Sequence, residues 1–316
     1  LFIGCGALAG TFGGLIAYGV SHIHSTTMSD WRILFIIEGL PSILLSIVVF
    51  FLLPERPETS KYLTEDERVI ALTRLNRQGP SEGPGAFEMR SLKRALTDYK
   101  NWMICGMYLG VNLTLGSISG FLPTIIATFG YSTVNAQLYT VPPYAVALVY
   151  MAVVSFLSDR YKIRGILVFF DSVIAMIGFA ILIGVRTNEA VRYFAVFLIV
   201  APTFTNIPLC LSWASNNNAT ESSRAVALGL VNSIGQCFSI LASFSFPSSQ
   251  GPLYIQGLSL NLAFSVLTSL LGLSLFLILK AENKRRDSVE GPPPEDLSRV
   301  DTAQYFDNAT GFRYIA

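Results

Sequence analysis

Eight stretches of this chain stay apolar for about twenty residues each, the length an α-helix needs to cross the hydrocarbon core of a bilayer. They run roughly over Phe2–Val20, Ile33–Leu53, Trp102–Ile126, Tyr139–Leu157, Gly165–Val185, Val191–Leu211, Ala225–Phe246 and Leu258–Leu279. One soluble core can bury one or two such helices, but not eight. Composition agrees: 52% of the 316 residues are hydrophobic and only 14% are charged, against about 25% charged in soluble domains. The expected fold is therefore an all-α membrane protein.

The remaining bulk features exclude more than they assign. A net charge of +1 gives no basic field for nucleic acid. Cys5, Cys105, Cys210 and Cys237 each lie in an apolar run without metal spacing and read as small buried hydrophobes. His22 and His24 read as a solvated loop. With no phosphate loop, zinc motif or nucleophile elbow, neither enzyme chemistry, a cofactor nor a metal is expected. The opening "LFIGCGALAG" starts inside an apolar run and without Met, so a fragment missing its N-terminus is expected.

Orientation follows from Lys and Arg in the loops, which concentrate on the cytoplasmic side. Of the 22, all but Arg32, Arg186 and Arg192 fall on one side of the eight spans. That side carries the stretch 54–100, the loop around "SDRYKIRG" and the C-terminal tail, which are therefore expected to be cytoplasmic. The chain divides into two spans (1–53), a charged loop (54–100), six spans (101–280) and a tail (281–316). In the charged loop, "YLTEDERVIALTRLNRQG" begins with a capping box, Thr64 and Glu67, and continues as a helix. "SEGPG" breaks it. "AFEMRSLKRALTDYKNW" reads as a second short amphipathic helix lying at the membrane surface.

Polar side chains inside the spans mark a substrate path or bond neighbouring helices, because hydrocarbon offers them no partner. The candidates for substrate contact are Tyr108, Asn112, Asn206, Asn232 and Gln236. Pro202 and Pro208 should loosen their helix and free backbone carbonyls. Two acids lie well inside spans, Glu38 and Asp171, and both are candidates for an ionisable coupling role. Glu38 is within about two turns of Arg32, and a structural ion pair or an interface role is expected for it. Asp171 is expected to bond back toward the basic loop. Gly6, Gly10 and Gly14 repeat at four and suit close helix packing. The sequons at Asn112, Asn218 and Asn308 fall in a span or on the cytoplasmic side, so none is expected to be used.

"SFLSDRYKIRG" resembles the major facilitator loop pattern G-x-x-x-D-R-x-G-R-R/K. Asp159, Arg160 and Arg164 match; Ser155, Lys162 and Ile163 replace Gly, Gly and Arg. "DWRILFIIEGLPSILLSIVVFFLLPERPETSKYLTEDER", "GFLPTIIATFGYSTVNAQLYTVPPYAVALVYMAVVSFLSDR", "LSWASNNNATESSRAVALGLVNSIGQ" and the closing "GFRYIA" are similar to segments of the fungal anion:cation symporters, the allantoate permease family. The resemblance implies the major facilitator fold, with helices five to twelve of twelve present and the first four absent. It implies proton-coupled uptake of a small organic anion such as a ureide, nicotinate or pantothenate. The expected partners are that anion, protons and the lipid bilayer, for a monomer in the plasma membrane. It also implies that Asp159 meets the start of the first span, where a helix N-terminus favours an anion, and so holds a cytoplasmic gate with Arg160 and Arg164. A drug or toxin exporter is the alternative, weakened by Thr11 and Leu15, which stand where the antiporter pattern has Pro and Gly. A non-working truncated permease is the other alternative.

Overall fold

The computed structural model describes residues 4–23, 28–53, 60, 62–76, 89–292 and 305–316. Among these it is helical throughout: α1 (Gly4–Val20), α2 (Asp30–Leu52), α3 (Glu65–Asn76), α4 (Met89–Thr97), α5 (Tyr99–Ala127), α6 (Thr133–Tyr139), α7 (Val141–Tyr161), α8 (Gly165–Gly184), α9 (Glu189–Asn216), α10 (Glu221–Ser243) and α11 (Ile255–Glu290). Seven helical segments are long and apolar enough to cross a membrane, and α1 is a shorter apolar helix. His24 and the "SEGPG" break lie outside the described residues.

The helix starts follow from local chemistry. Asp98, Asn188 and Thr220 cap α5, α9 and α10 with side-chain oxygens that accept from Lys100 N, Val191 N and Ser223 N. At α3 the capping box forms as expected: Thr64 N donates to Glu67 Oε2 and Glu67 N donates to Thr64 Oγ1. The span expected over Tyr139–Leu157 differs. A separate helix, α6, ends at Tyr139, Thr140 breaks the chain, and α7 runs on to Tyr161. Pro142 and Pro143 stand in the first turn of α7, where their missing N–H groups cost least. Helix α9 passes through Pro202 and Pro208 without interruption, and the Thr203 and Thr205 hydroxyls donate to Ile199 O and Ala201 O. Each proline lacks an N–H, so the carbonyls of Leu198 and Phe204 have no helical donor. Helix α11 extends eleven residues past the expected end of its span, to Glu290.

Helix α5 packs on α10 and α11, α8 sits between α9 and α11, and α9 also contacts α7. Helix α1 lies against α6 and α7, while α4 packs under α10. Close approach is set by glycine. A Cβ at Gly10 would lie 3.0 Å from the Tyr144 ring, and one at Gly165 would lie 2.6 Å from Trp213. Trp213 is fully buried in the core layer at the basic end of the bundle, with Ile104, Met107, Leu275 and Leu279. A second layer around Phe129, Ile126, Val196 and Phe179 fills the opposite end.

Residues 305–316 return to the basic end and dock there. Trp213 Nε1 and Asn217 Nδ2 both donate to Ile315 O, at 2.7 and 3.0 Å. Arg164 N donates to Ala316 O at 2.9 Å. Asn283 and Tyr314 exchange two hydrogen bonds.

Candidate functional site

A cleft of about 760 Å³ opens between α7, α9 and α10 at the basic end. Its walls include Asp159, Arg164, Ser212, Ser215, Asn216 and Asn232. Arg164 is buried, and its Nη2 donates to Asp159 Oδ1 at 3.1 Å. With the Asn216 amide turned so that its oxygen faces the guanidinium, it accepts from both Arg164 Nη atoms at 2.8 Å. Burial pulls the Arg164 pKa down, and the neighbouring Asp159 charge opposes that shift. The result is a cation, desolvated but partnered, at one edge of an open cleft.

Asp159 pairs with Arg164 in its own loop and is otherwise mostly exposed, at 73% of its side chain. The partner expected for it, the first residues of the chain, lies outside the described residues. Arg160 is exposed and makes no ion pair among the described residues. Lys162 stands where the facilitator pattern has Gly, and its φ of 53° lies in the left-handed region that Gly adopts without strain. The loop keeps the glycine backbone conformation without the glycine.

Above the cleft, α10 lies on α5 at Gly235, where a Cβ would come within 2.5 Å of the Tyr108 ring and 2.7 Å of Asn112 Nδ2. Tyr108 is buried and directs its hydroxyl to Asn232 Oδ1 at 3.5 Å. Asn112 is buried and donates to Tyr108 O. Asn232 and Gln236 are one turn apart on the exposed face of α10. Tyr108 and Asn112 are thus buried at the α5–α10 contact, Asn232 and Gln236 lie exposed on α10 beside it, and Asn232 also lines the cleft.

Asn206 is elsewhere. It is buried between α5, α8, α9 and α11 beside Thr114, Thr203, Ser265 and Thr268. Its Nδ2 donates to Ser172 Oγ at 3.3 Å, and its Oδ1 has no partner.

Both acids also depart from expectation. Glu38 is exposed on α2 and makes no ion pair among the described residues, while Arg32 stacks on Trp31 at 5.2 Å. Six residues along a helix leave two side chains about 120° apart and about 9 Å along the axis, beyond the three- or four-residue spacing at which neighbours meet. Asp171 does not reach the basic loop. It is buried and accepts a 2.6 Å bond from the Tyr150 hydroxyl of α7, and its Oδ2 has no partner. The loop guanidinium nearest along the chain, Arg164, is already taken by Asp159 and Asn216.

The sequence reading missed the Asn216–Asn218 junction. Asn216 faces Arg164, Asn217 holds the Ile315 backbone from both sides, and Asn218 exchanges amide bonds with Asn101. Three consecutive amides tie α8, the tail and α5 to the end of α9. Three identical amides at a span boundary were the available signal. The Tyr150 partner of Asp171 was missed as well.

The profile of the Major Facilitator Superfamily matches residues 1–244. An uncharacterized transporter from Schizosaccharomyces pombe is 34% identical over 298 residues, covering 92% of this chain and 58% of its own length. The high-affinity nicotinic acid transporter of Saccharomyces cerevisiae is 30% identical over 282 residues, covering 89% of this chain and 52% of its own length. The chain thus spans little more than half the length of these relatives. The crystal structure of a D-xylose-proton symporter superposes with a TM-score of 0.58 at 16% identity, covering 85% of this chain and 60% of that one. At that identity the similarity speaks to the fold alone.

Proposed function

Because this chain belongs to the major facilitator superfamily, we propose that it forms helices five to twelve of a proton-coupled transporter that takes up a small organic anion. In this reading 1–53 are the last two helices of one bundle, 54–100 the cytoplasmic connection, 101–280 the second six-helix bundle and 281–316 a cytoplasmic tail. The two bundles rock about a central site. The protein works as a monomer in the plasma membrane, with the basic end in the cytoplasm. Within the superfamily we place it with the fungal anion:cation symporters, near allantoate permease. The relative named as a nicotinic acid transporter supports a carboxylate as the substrate class.

The observation that carries this reading is the α5–α10 surface above the cleft. Asn232 and Gln236 are exposed there, and Arg164 supplies a partnered cation at the cytoplasmic mouth. Amide donors grip a carboxylate without paying for a bare buried charge. The Tyr150–Asp171 pair is the proposed proton site. It is buried in the bundle, and its free Oδ2 has room for a proton.

The test is uptake by the full reading frame in a strain lacking related permeases. Labelled nicotinate, allantoate and pantothenate are compared with and without a protonophore. The reading requires uptake of at least one of them, abolished by the protonophore. Absence of any carboxylate uptake, together with efflux of a dye, would sink it in favour of an exporter.

A further inference from the structure

The basic end carries a second pocket, of about 340 Å³, between α4 and the docked tail. Its cations are Arg90, Lys93 and Arg94. On a helix these residues fall within about 100° of one another, on one face. The opposite side of α4 buries Ser91 and Ala95 in the bundle.

Only one of the three cations is neutralised. Arg94 donates from Nε and Nη2 to Asp307 Oδ1, at 3.1 and 2.8 Å. The other oxygen of Asp307 is taken by Lys100 Nζ at 2.8 Å and the Tyr314 hydroxyl at 2.9 Å. That carboxylate has nothing left for the pocket. Arg90 lies over the Phe306 ring at 5.2 Å, which fixes the guanidinium and leaves its N–H edge open. Neither Arg90 nor Lys93 makes an ion pair among the described residues. Among the described residues the pocket therefore holds two positive charges without an ion-pair partner.

Next to these cations the surface is built for a bilayer interface. Met89, Leu96, Tyr99 and Trp102 are all exposed. The Trp102 indole N–H donates to Leu96 O at 2.7 Å, so its ring is held outward with its polar edge satisfied. Apolar and aromatic side chains beside a basic pocket are the arrangement that places a charged headgroup and its acyl chains together.

We propose that this pocket binds the phosphomonoester headgroup of a membrane lipid. A phosphomonoester carries about −1.5 to −2 charges at pH 7, which matches two open cations. A carboxylate-bearing or zwitterionic headgroup does not match. The proposal rests on the orientation given above only for which leaflet supplies the lipid.

The experiment uses the whole chain in nanodiscs whose two leaflets have the same composition. Binding is measured with phosphatidylinositol 4-phosphate, with phosphatidylserine at equal total charge, and with soluble inositol phosphate. The expected result is preference for the phosphoinositide, and about a thirtyfold loss in the Arg90→Gln/Lys93→Gln double variant. Arg160→Gln/Lys162→Gln, which removes two cations elsewhere on the same end, should retain the affinity. Asn308 lines the pocket and is exposed, so Asn308→Asp supplies an independent loss by adding an anion without removing a cation. Equal loss in both double variants, or equal binding of phosphatidylserine, would overturn the site. Equally tight binding of soluble inositol phosphate would overturn the lipid as the source of the anion. None of these readouts involves transport, so a failure of the proposed uptake activity leaves them interpretable.

Discussion

Helix α2 and the tail at 305–316 invert the usual expectation about burial. Helix α2, rich in Leu, Ile, Val and Phe, buries no residue in a chain that spans little more than half the length of its relatives. The tail is short and mixes aromatic with polar side chains, and it buries Phe306, Asp307, Ala309 and Tyr314. Apolarity states which solvent a segment tolerates. Burial depends on which partners it finds. Lipid is as apolar as leucine, so an aliphatic side chain that leaves it for another helix gains packing rather than a hydrophobic transfer, and Ile104, Leu275 and Leu279 are buried where that packing is close. Small and polar residues add close approach and hydrogen bonds. Helix α9 uses both, burying Val196, Ile199 and Trp213 together with Ala195, Thr203, Thr205 and Asn206.

The most forceful way to break this contrast is at Asp307. Asp307→Asn leaves Lys100 and Arg94 without their shared carboxylate and should cost about 3 kcal/mol, since stripping one partner from a buried ion pair leaves an uncompensated charge. Lys100 keeps Asp98 at 2.8 Å, which holds the loss at the low end. Thermal unfolding in detergent measures it, and a loss below 1 kcal/mol would mean the tail is only resting on the bundle. Next in size is Gly178→Val. Its Cβ would lie 2.7 Å from Ile199 and 2.9 Å from Ala195 O, so overpacking should cost about 1–3 kcal/mol. Asn261→Ala removes the 3.0 Å bond to Ser117 Oγ and should cost about 1 kcal/mol. The smallest change belongs to α2. Leu45→Ala there should move stability by less than about 0.5 kcal/mol, because Leu45 is 61% exposed.

Acid sharpens the same contrast without a substitution. Burial alone would raise the Asp307 carboxyl, but the Lys100 and Arg94 cations outweigh it and hold the pKa at about 2. A depressed folded pKa contributes stability that is fully present above the unfolded value, about 3.9, and is lost as pH falls toward 2. Tail protection in hydrogen exchange should therefore be flat from pH 8 to about 5 and decline only below about 4. Undocking near neutral pH would contradict the assignment.

The membrane-spanning character and the all-helical fold were legible because span length and apolarity are properties of single segments. The capping box at Thr64 and Glu67 was legible for the same reason. What depended on facing was not. Glu38 and Arg32 looked close in sequence but are separated by helix geometry. Asn206 and Asn112 looked equivalent to Asn232, but both are buried while Asn232 is exposed. Nothing in "GFRYIA" announces that Trp213 and Asn217, about a hundred residues away, hold its backbone.

The central claim is that a carboxylate meets the α5–α10 surface, and Asn232 tests it most directly. The full-length protein carrying Asn232→Leu should keep its membrane level. Its KM for the transported carboxylate should rise about tenfold or more, the value of one hydrogen bond to a charged group. An unchanged KM at equal membrane level would contradict the account.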